Sequence, residues 1–180
     1  MRNRHAQAHG FALIDLLFVC GIIGVLASMA MPRLLLAKSA AGAASAIGSM
    51  RAINSAELTY ALTCGNGFYA PNLTTLGTAP PASTEPFISG GLGTADTINK
   101  SGYTIQLEAT AFAGAPPACN GLGAGAAGRG FRAAADPSGV SSAIPRFFST
   151  NANAVIFEDT ASLWGAMPEV GEPASGHPLR

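Results

Sequence analysis

The side chains equipped for chemistry are few and scattered. His5 and His9 lie within the first ten residues and His177 in a Gly/Pro-rich tail, so no histidine remains between them to serve as base or metal ligand. Serines and aspartates occur without a histidine relay partner, which leaves nucleophilic catalysis unsupported. The adjacent pair Glu158–Asp159 could take calcium together with loop carbonyls, yet such a pair at a strand end is more often simply hydrated. GLGAGAAGRG (121–130) holds the spacing G-x-G-x-x-G at Gly123, Gly125 and Gly128. A dinucleotide site needs a strand before that motif and a helix after it. Here PPACN precedes and the strand-like GFRAAA follows, so a flexible surface loop is the better reading. No catalytic, cofactor-binding or metal-ligating residue is assigned, no cofactor is expected, and the chain is not read as an enzyme.

Three cysteines remain. Cys20 lies within an apolar run, leaving Cys64 and Cys119. Outside the cytoplasm these two are candidates for a disulfide that closes a loop of more than fifty residues; two buried free thiols are the alternative. The sequons at Asn72 and Asn99 imply surface exposure at most.

The most pointed chemistry is electrostatic. From Phe11 to Met31 the chain runs 21 residues with one formal charge, Asp15. At 1.5 Å per residue this spans roughly 31 Å, about one bilayer core. A central Asp costs about 2.5–3.5 kcal/mol on insertion scales, less near the interface. Each Leu, Ile, Phe or Val returns about 0.3–0.6 kcal/mol. With four Leu, three Ile, two Phe and two Val present, insertion still wins. A buried core helix rarely stays apolar on every side for six turns. A cleaved secretory signal has a shorter apolar region, though Ser28-Met29-Ala30 fits its small-x-small site. A membrane-embedded helix is the preferred reading. Asp15 then either snorkels to the near interface or has a partner. Cations flank the run on both sides, Arg2 and Arg4 before it and Arg33 and Lys38 after it, so the positive-inside rule gives only a weak vote for a cytoplasmic N-terminus.

Composition narrows the partners. Charged residues make up 11% of 180 and formal net charge is zero, which argues against a large soluble enzyme and shows no basic footprint for nucleic acid. Without residues 1–10 the balance becomes slightly acidic.

Taken together, a short basic leader ending in Gly10, then Phe11, an acidic residue four positions on, about twenty apolar residues and Pro32 resemble the class III signal of type IV pilins and related pseudopilins. The resemblance implies that a prepilin peptidase cuts between Gly10 and Phe11 and methylates the new N-terminal Phe11. It also implies a role for Asp15, where the family usually carries Glu: pairing with the terminal ammonium of a neighbouring subunit inside an apolar filament core. Asp is one methylene shorter, which loosens that pair and suits a minor subunit. The expected partners are copies of itself in a helical filament, the peptidase, a pilus or secretion assembly platform and the membrane. The expected location is the bacterial inner membrane for the precursor, then an extracellular or periplasmic filament. A pseudopilin of a type II secretion system and a non-polymerising anchored binding module are the alternatives.

The elements that must position these residues read as α+β: a long N-terminal helix packed on a small antiparallel sheet. Residues 1–10 form the leader, 11–63 the helix and 64–180 a head with a flexible C-terminal tail. Within the helix, 11–31 is membrane-spanning and 32–63 amphipathic. Pro32 is expected to kink or loosen the helix. Gly21 and Gly24 allow close helix packing. At 100° per residue Ile47, Met50, Leu58, Ala61 and Leu62 fall within an arc of about 120°, predicting the face that backs onto the head. Asn54 lies inside that stripe and needs a hydrogen-bond partner if buried. Residues 64–100 read as loop, with a short helical turn over 72–76. Strands are predicted over 103–109, 131–135, 146–150 and 154–158, separated by turn signals at 136–139 and 151–153. YTIQLE alternates cleanly, as a half-buried antiparallel strand should. Trp164 is expected to pack the connection to the tail. The stretch 52–70 and KSGYTI (100–105) also resemble the heads of pilin-like proteins, less specifically.

Overall fold

The computed structural model describes residues 13–81, 83–88, 91–139 and 145–179. The architecture is α+β: one long apolar N-terminal helix and a six-stranded antiparallel sheet. Helix α1 spans Leu13–Thr63, and a single turn, α2, spans Leu73–Leu76. Six strands follow: β1 (Thr97–Lys100), β2 (Tyr103–Glu108), β3 (Arg132–Pro137), β4 (Phe147–Asn151), β5 (Ile156–Asp159) and β6 (His177–Pro178). They pair in sequence order, every neighbour antiparallel. The chain divides into two compact units, Met1–Lys38 and Ser39–Arg180.

In the second unit, α1 buries Ala43, Ala46, Met50, Ile53, Ala56 and Tyr60 in one core with Tyr103, Ile105 and Leu107 of β2, Ala133 and Ala135 of β3, and Phe148 of β4. β2 alternates as its sequence predicts, with Tyr103, Ile105 and Leu107 buried and Glu108 exposed. The small residues of the tract SAAGAASAIGS permit close approach. A Cβ on Gly42 would stand 2.8 Å from the Ser101 carbonyl oxygen. On the opposite face of the sheet, Phe157 packs with Leu163 and Met167.

Local chemistry fixes the ends. Asn72 caps α2: its side-chain oxygen accepts the Thr75 N–H at 2.9 Å, the usual Asx role at a helix start. β1 and β2 join through Ser101 and Gly102, both at positive φ (52° and 83°), the backbone that a two-residue hairpin loop demands. Cys64 and Cys119 form a disulfide across 55 positions of sequence, tying the end of α1 to the segment before the Gly-rich loop. In the chain-entropy account such a loop closure contributes about 4 kcal/mol.

Several expectations change. Leu58 and Leu62, placed in the head-facing stripe, are 56% and 76% exposed. The buried face, through Ala46, Met50, Ile53, Glu57 and Tyr60, lies roughly a quarter turn away from the predicted one. Leucine at those two positions marks apolarity without marking the partner. Residues 64–100 are not all loop, since β1 occupies Thr97–Lys100 and pairs with β2. The last three strands begin one or two residues later than predicted; Ala154 sits in the intervening turn at φ 60°. The C-terminal tail, read as flexible, returns as β6 against β5, and the Leu179 N–H reaches the Ile156 carbonyl at 2.8 Å. Pro32 lies inside α1, where it removes one backbone donor.

Candidate functional site

Among the described residues, the apolar side chains along the first half of α1 are exposed. Leu13, Ile14, Leu17, Phe18, Ile23 and Leu26 are each 59–80% exposed, and the helix is long and apolar enough to cross a membrane, with none of its most apolar stretch buried. Soluble monomers rarely leave so large an apolar patch in water. Around Gly21 the surface dips between Leu17, Phe18, Ile22, Val25 and Leu26. Asp15 stands in the first turn, exposed, where the amino-terminal end of the helix dipole favours a carboxylate. Gly10 and Phe11, the expected cleavage and methylation positions, lie outside the described residues.

A second polar feature was not anticipated. Glu57 is fully buried on α1. Its Oε2 accepts the Ala70 N–H at 2.9 Å, and its Oε1 has no partner among the described residues, like the nearby Tyr60 hydroxyl. Burial pushes the Glu57 carboxyl up to about 8, against the opposing pull of the Ala70 hydrogen bond. Tyr60 is pushed up to about 12, chiefly by burial and secondarily by Glu57. Spacing holds the signal that could have found it. Glu57 sits four residues after Ile53 and three before Tyr60, on the face those residues define.

The remaining candidates become structural. Glu158 is engaged by Arg146 through two hydrogen bonds, one of 2.7 Å from Nη2 to Oε2. That pairing holds the Glu158 carboxyl below its ordinary range and leaves it poorly placed for calcium. Among the described residues no group of three His, Cys, Asp or Glu is placed to hold a metal. The Gly123, Gly125 and Gly128 loop has no helix after it. Gly128 instead exchanges two backbone hydrogen bonds with Tyr69, at 2.9 and 3.0 Å, and a Cβ there would stand 2.7 Å from Ala109 Cβ. The motif is a packing glycine in a loop held at both ends. Asn54 is half-buried and satisfied: it accepts from the Thr150 hydroxyl at 3.0 Å and donates to the Ala154 carbonyl at 3.3 Å. Asn72 is occupied by its capping role, while Asn99 is exposed and accepts from Thr104 at 2.7 Å. Trp164 lies under the Arg132 guanidinium, 5.1 Å from the ring centroid. Cys20 is exposed on α1.

No protein-family model matches this chain, and no curated protein and no solved structure matches it either.

Proposed function

We propose that this chain is the structural subunit of a type IV pilus-like filament, made as a prepilin, cut after Gly10 and polymerised through α1. One observation carries the reading: an uncovered apolar helix with a single acid, Asp15, four residues after a Gly–Phe junction. Apolar surface of that extent needs either lipid or other helices around it. A filament supplies both in turn, because the segment resides in the inner membrane as a precursor and in the filament core afterwards.

Cleavage between Gly10 and Phe11 creates an ammonium that no uncut chain has. Asp15 of a neighbouring copy neutralises it, which removes two isolated charges from an apolar environment. The peptidase that cuts and methylates, and the platform that assembles the filament, act on this chain, and the subunit itself catalyses nothing. Whether the filament is a surface pilus or the pseudopilus of a type II secretion system turns on the length it reaches.

The mass of the mature N-terminus tests the proposal. Methylated Phe11 as the first residue supports it; an intact Met1, or a terminus just after Ala30, overturns it. Shearing cells then separates filament from lone anchor, because only a polymer releases the chain in high-mass fibres.

A further inference from the structure

We propose that the Glu57 carboxyl is a proton-dependent latch between α1 and residues 68–71: protonated, it holds the two together, and ionised, it lets water in between them. Both partners lie in the head, so the latch needs no filament.

The latch is a single contact. At the end of α1 the Cys64 and Gly65 N–H groups reach the Tyr60 carbonyl, and the Gly67 N–H reaches that of Ala61. The chain then turns through Asn66 and Gly67, both at positive φ (54° and 90°). Beyond that turn the backbone is satisfied by partners outside α1. Tyr69 exchanges two hydrogen bonds with Gly128, and the Pro71 carbonyl accepts the Ala109 N–H at 3.2 Å. Among the described residues the one hydrogen bond from 68–71 to α1 is that of the Ala70 N–H to Glu57. Breaking it parts the segment from the helix while the bonds to Gly128 and Ala109 persist. Ala70 is fully buried, yet its methyl gives up little apolar contact on parting. Such an event is a local opening, well short of unfolding the sheet.

The closed site is poorly equipped for a charge. At helical spacing Glu57 has Ile53, Asn54, Tyr60 and Ala61 beside it, none of them cationic. It is the one carboxyl or cation among the buried residues described. The core around it takes Ile105 and Leu107 from β2, Ala133 and Ala135 from β3, and Leu73 and Leu76 from α2. Three tyrosines complete the titratable groups of that core. Tyr60 feels Glu57 directly but is pushed up to about 12, so it stays neutral while Glu57 titrates. Tyr69 packs on Phe131 with ring centroids 5.2 Å apart. Tyr103 answers to Arg146 and Glu158. A carboxylate kept here would exchange its hydration for one backbone donor. Parting the segment restores the water.

Ionisation therefore draws opening with it. The closed carboxyl titrates at about 8 and a hydrated one at the ordinary 4.5. Between those values opening releases one proton, so it is favoured about tenfold per pH unit. Below 4.5 both forms are protonated and above 8 both are charged, and the dependence stops at each end.

The test is amide hydrogen exchange by NMR on the full chain in detergent micelles. Corrected for the intrinsic rate, protection of the Ala70 N–H is expected to fall about tenfold per pH unit from pH 5 to pH 8 and then level. The amides of central strand β3 should stay better protected throughout, and dilute urea should leave Ala70 exchange unchanged, as a local opening requires. Protection at Ala70 that ignores pH, or that equals β3 at every pH, overturns the latch. Glu57→Gln keeps a side-chain carbonyl for the Ala70 N–H but cannot ionise, so the pH slope should vanish. A slope that persists in that variant belongs to another group and also overturns the latch. The measurement on the unaltered chain decides the matter even where the variant does not fold.

Discussion

The Glu57 carboxylate accepts the Ala70 N–H through Oε2 at 2.9 Å while Oε1 lies buried without a partner. A single backbone donor cannot offset the loss of hydration around a charged carboxylate. The folded state therefore favours the protonated acid, and the head gains a dependence on pH that composition alone would not suggest.

The sign follows from linkage. The folded value is about 8 against an ordinary 4.5, so the folded chain binds the extra proton between those values. The stability Glu57 contributes is fully present below pH 4.5 and is lost as pH rises through 8. Melting in detergent micelles should show Tm falling from pH 5 to pH 9, and Glu57→Gln should flatten that slope. A Tm that rises over this range would contradict the assignment. Glu158, held low by Arg146, acts in the opposite sense. Its contribution fades only as pH falls below the ordinary carboxylate range, outside the window tested.

The buried face of α1 is tested by two truncations of similar chemistry. Met50 is fully buried, whereas Leu58 is 56% exposed. Met50→Ala should cost about 2–5 kcal/mol, and Leu58→Ala should stay within about 0.5 kcal/mol. Denaturant midpoints measured side by side decide it. Equal losses would return Leu58 to the core.

Two glycines of one helix should respond oppositely to alanine. Gly42 has the Ser101 carbonyl 2.8 Å from its would-be Cβ, while Gly48 has nothing within 4 Å. Gly42→Ala must push the β1–β2 turn away, at about 1–3 kcal/mol. Gly48→Ala should stabilise by about 0.5–1 kcal/mol through helix propensity. Thermal melts of the two variants give the comparison.

Asp15→Ala separates processing from assembly. The proposed cleavage junction at Gly10 and Phe11 is untouched, so on that reading the mature mass should appear at normal yield. Sheared fibres should fall at least tenfold, because the new ammonium then lacks a counter-charge. Normal fibres from this variant would remove the pairing argument.

Much of the framework was legible because its signals are local. An apolar run of bilayer length, the alternation of YTIQLE and the helical turn over 72–76 each depend on residues a few positions apart. Glu57 was missed because a lone acid in an amphipathic helix ordinarily points to water. Its burial depends on Ala70, thirteen residues on, arriving at the same place. β1 and β6 were missed for a related reason. Thr97–Lys100 is largely exposed and His177–Pro178 wholly so, and both are held by backbone pairing to one neighbour, which leaves little trace in side-chain pattern.

By itself the sequence determined that residues 11–31 are apolar on every side, that one acid interrupts them, and that a small antiparallel sheet follows a long helix. These are consequences of side-chain hydrophobicity and spacing within single elements. Only the tertiary structure decided which face of α1 is covered, that Cys64 joins Cys119, and that Glu57 is sealed with one oxygen unsatisfied. Leu58 and Met50 are comparably apolar, but only Met50 meets the surface that the sheet supplies. Burial belongs to the pair of surfaces, not to the residue.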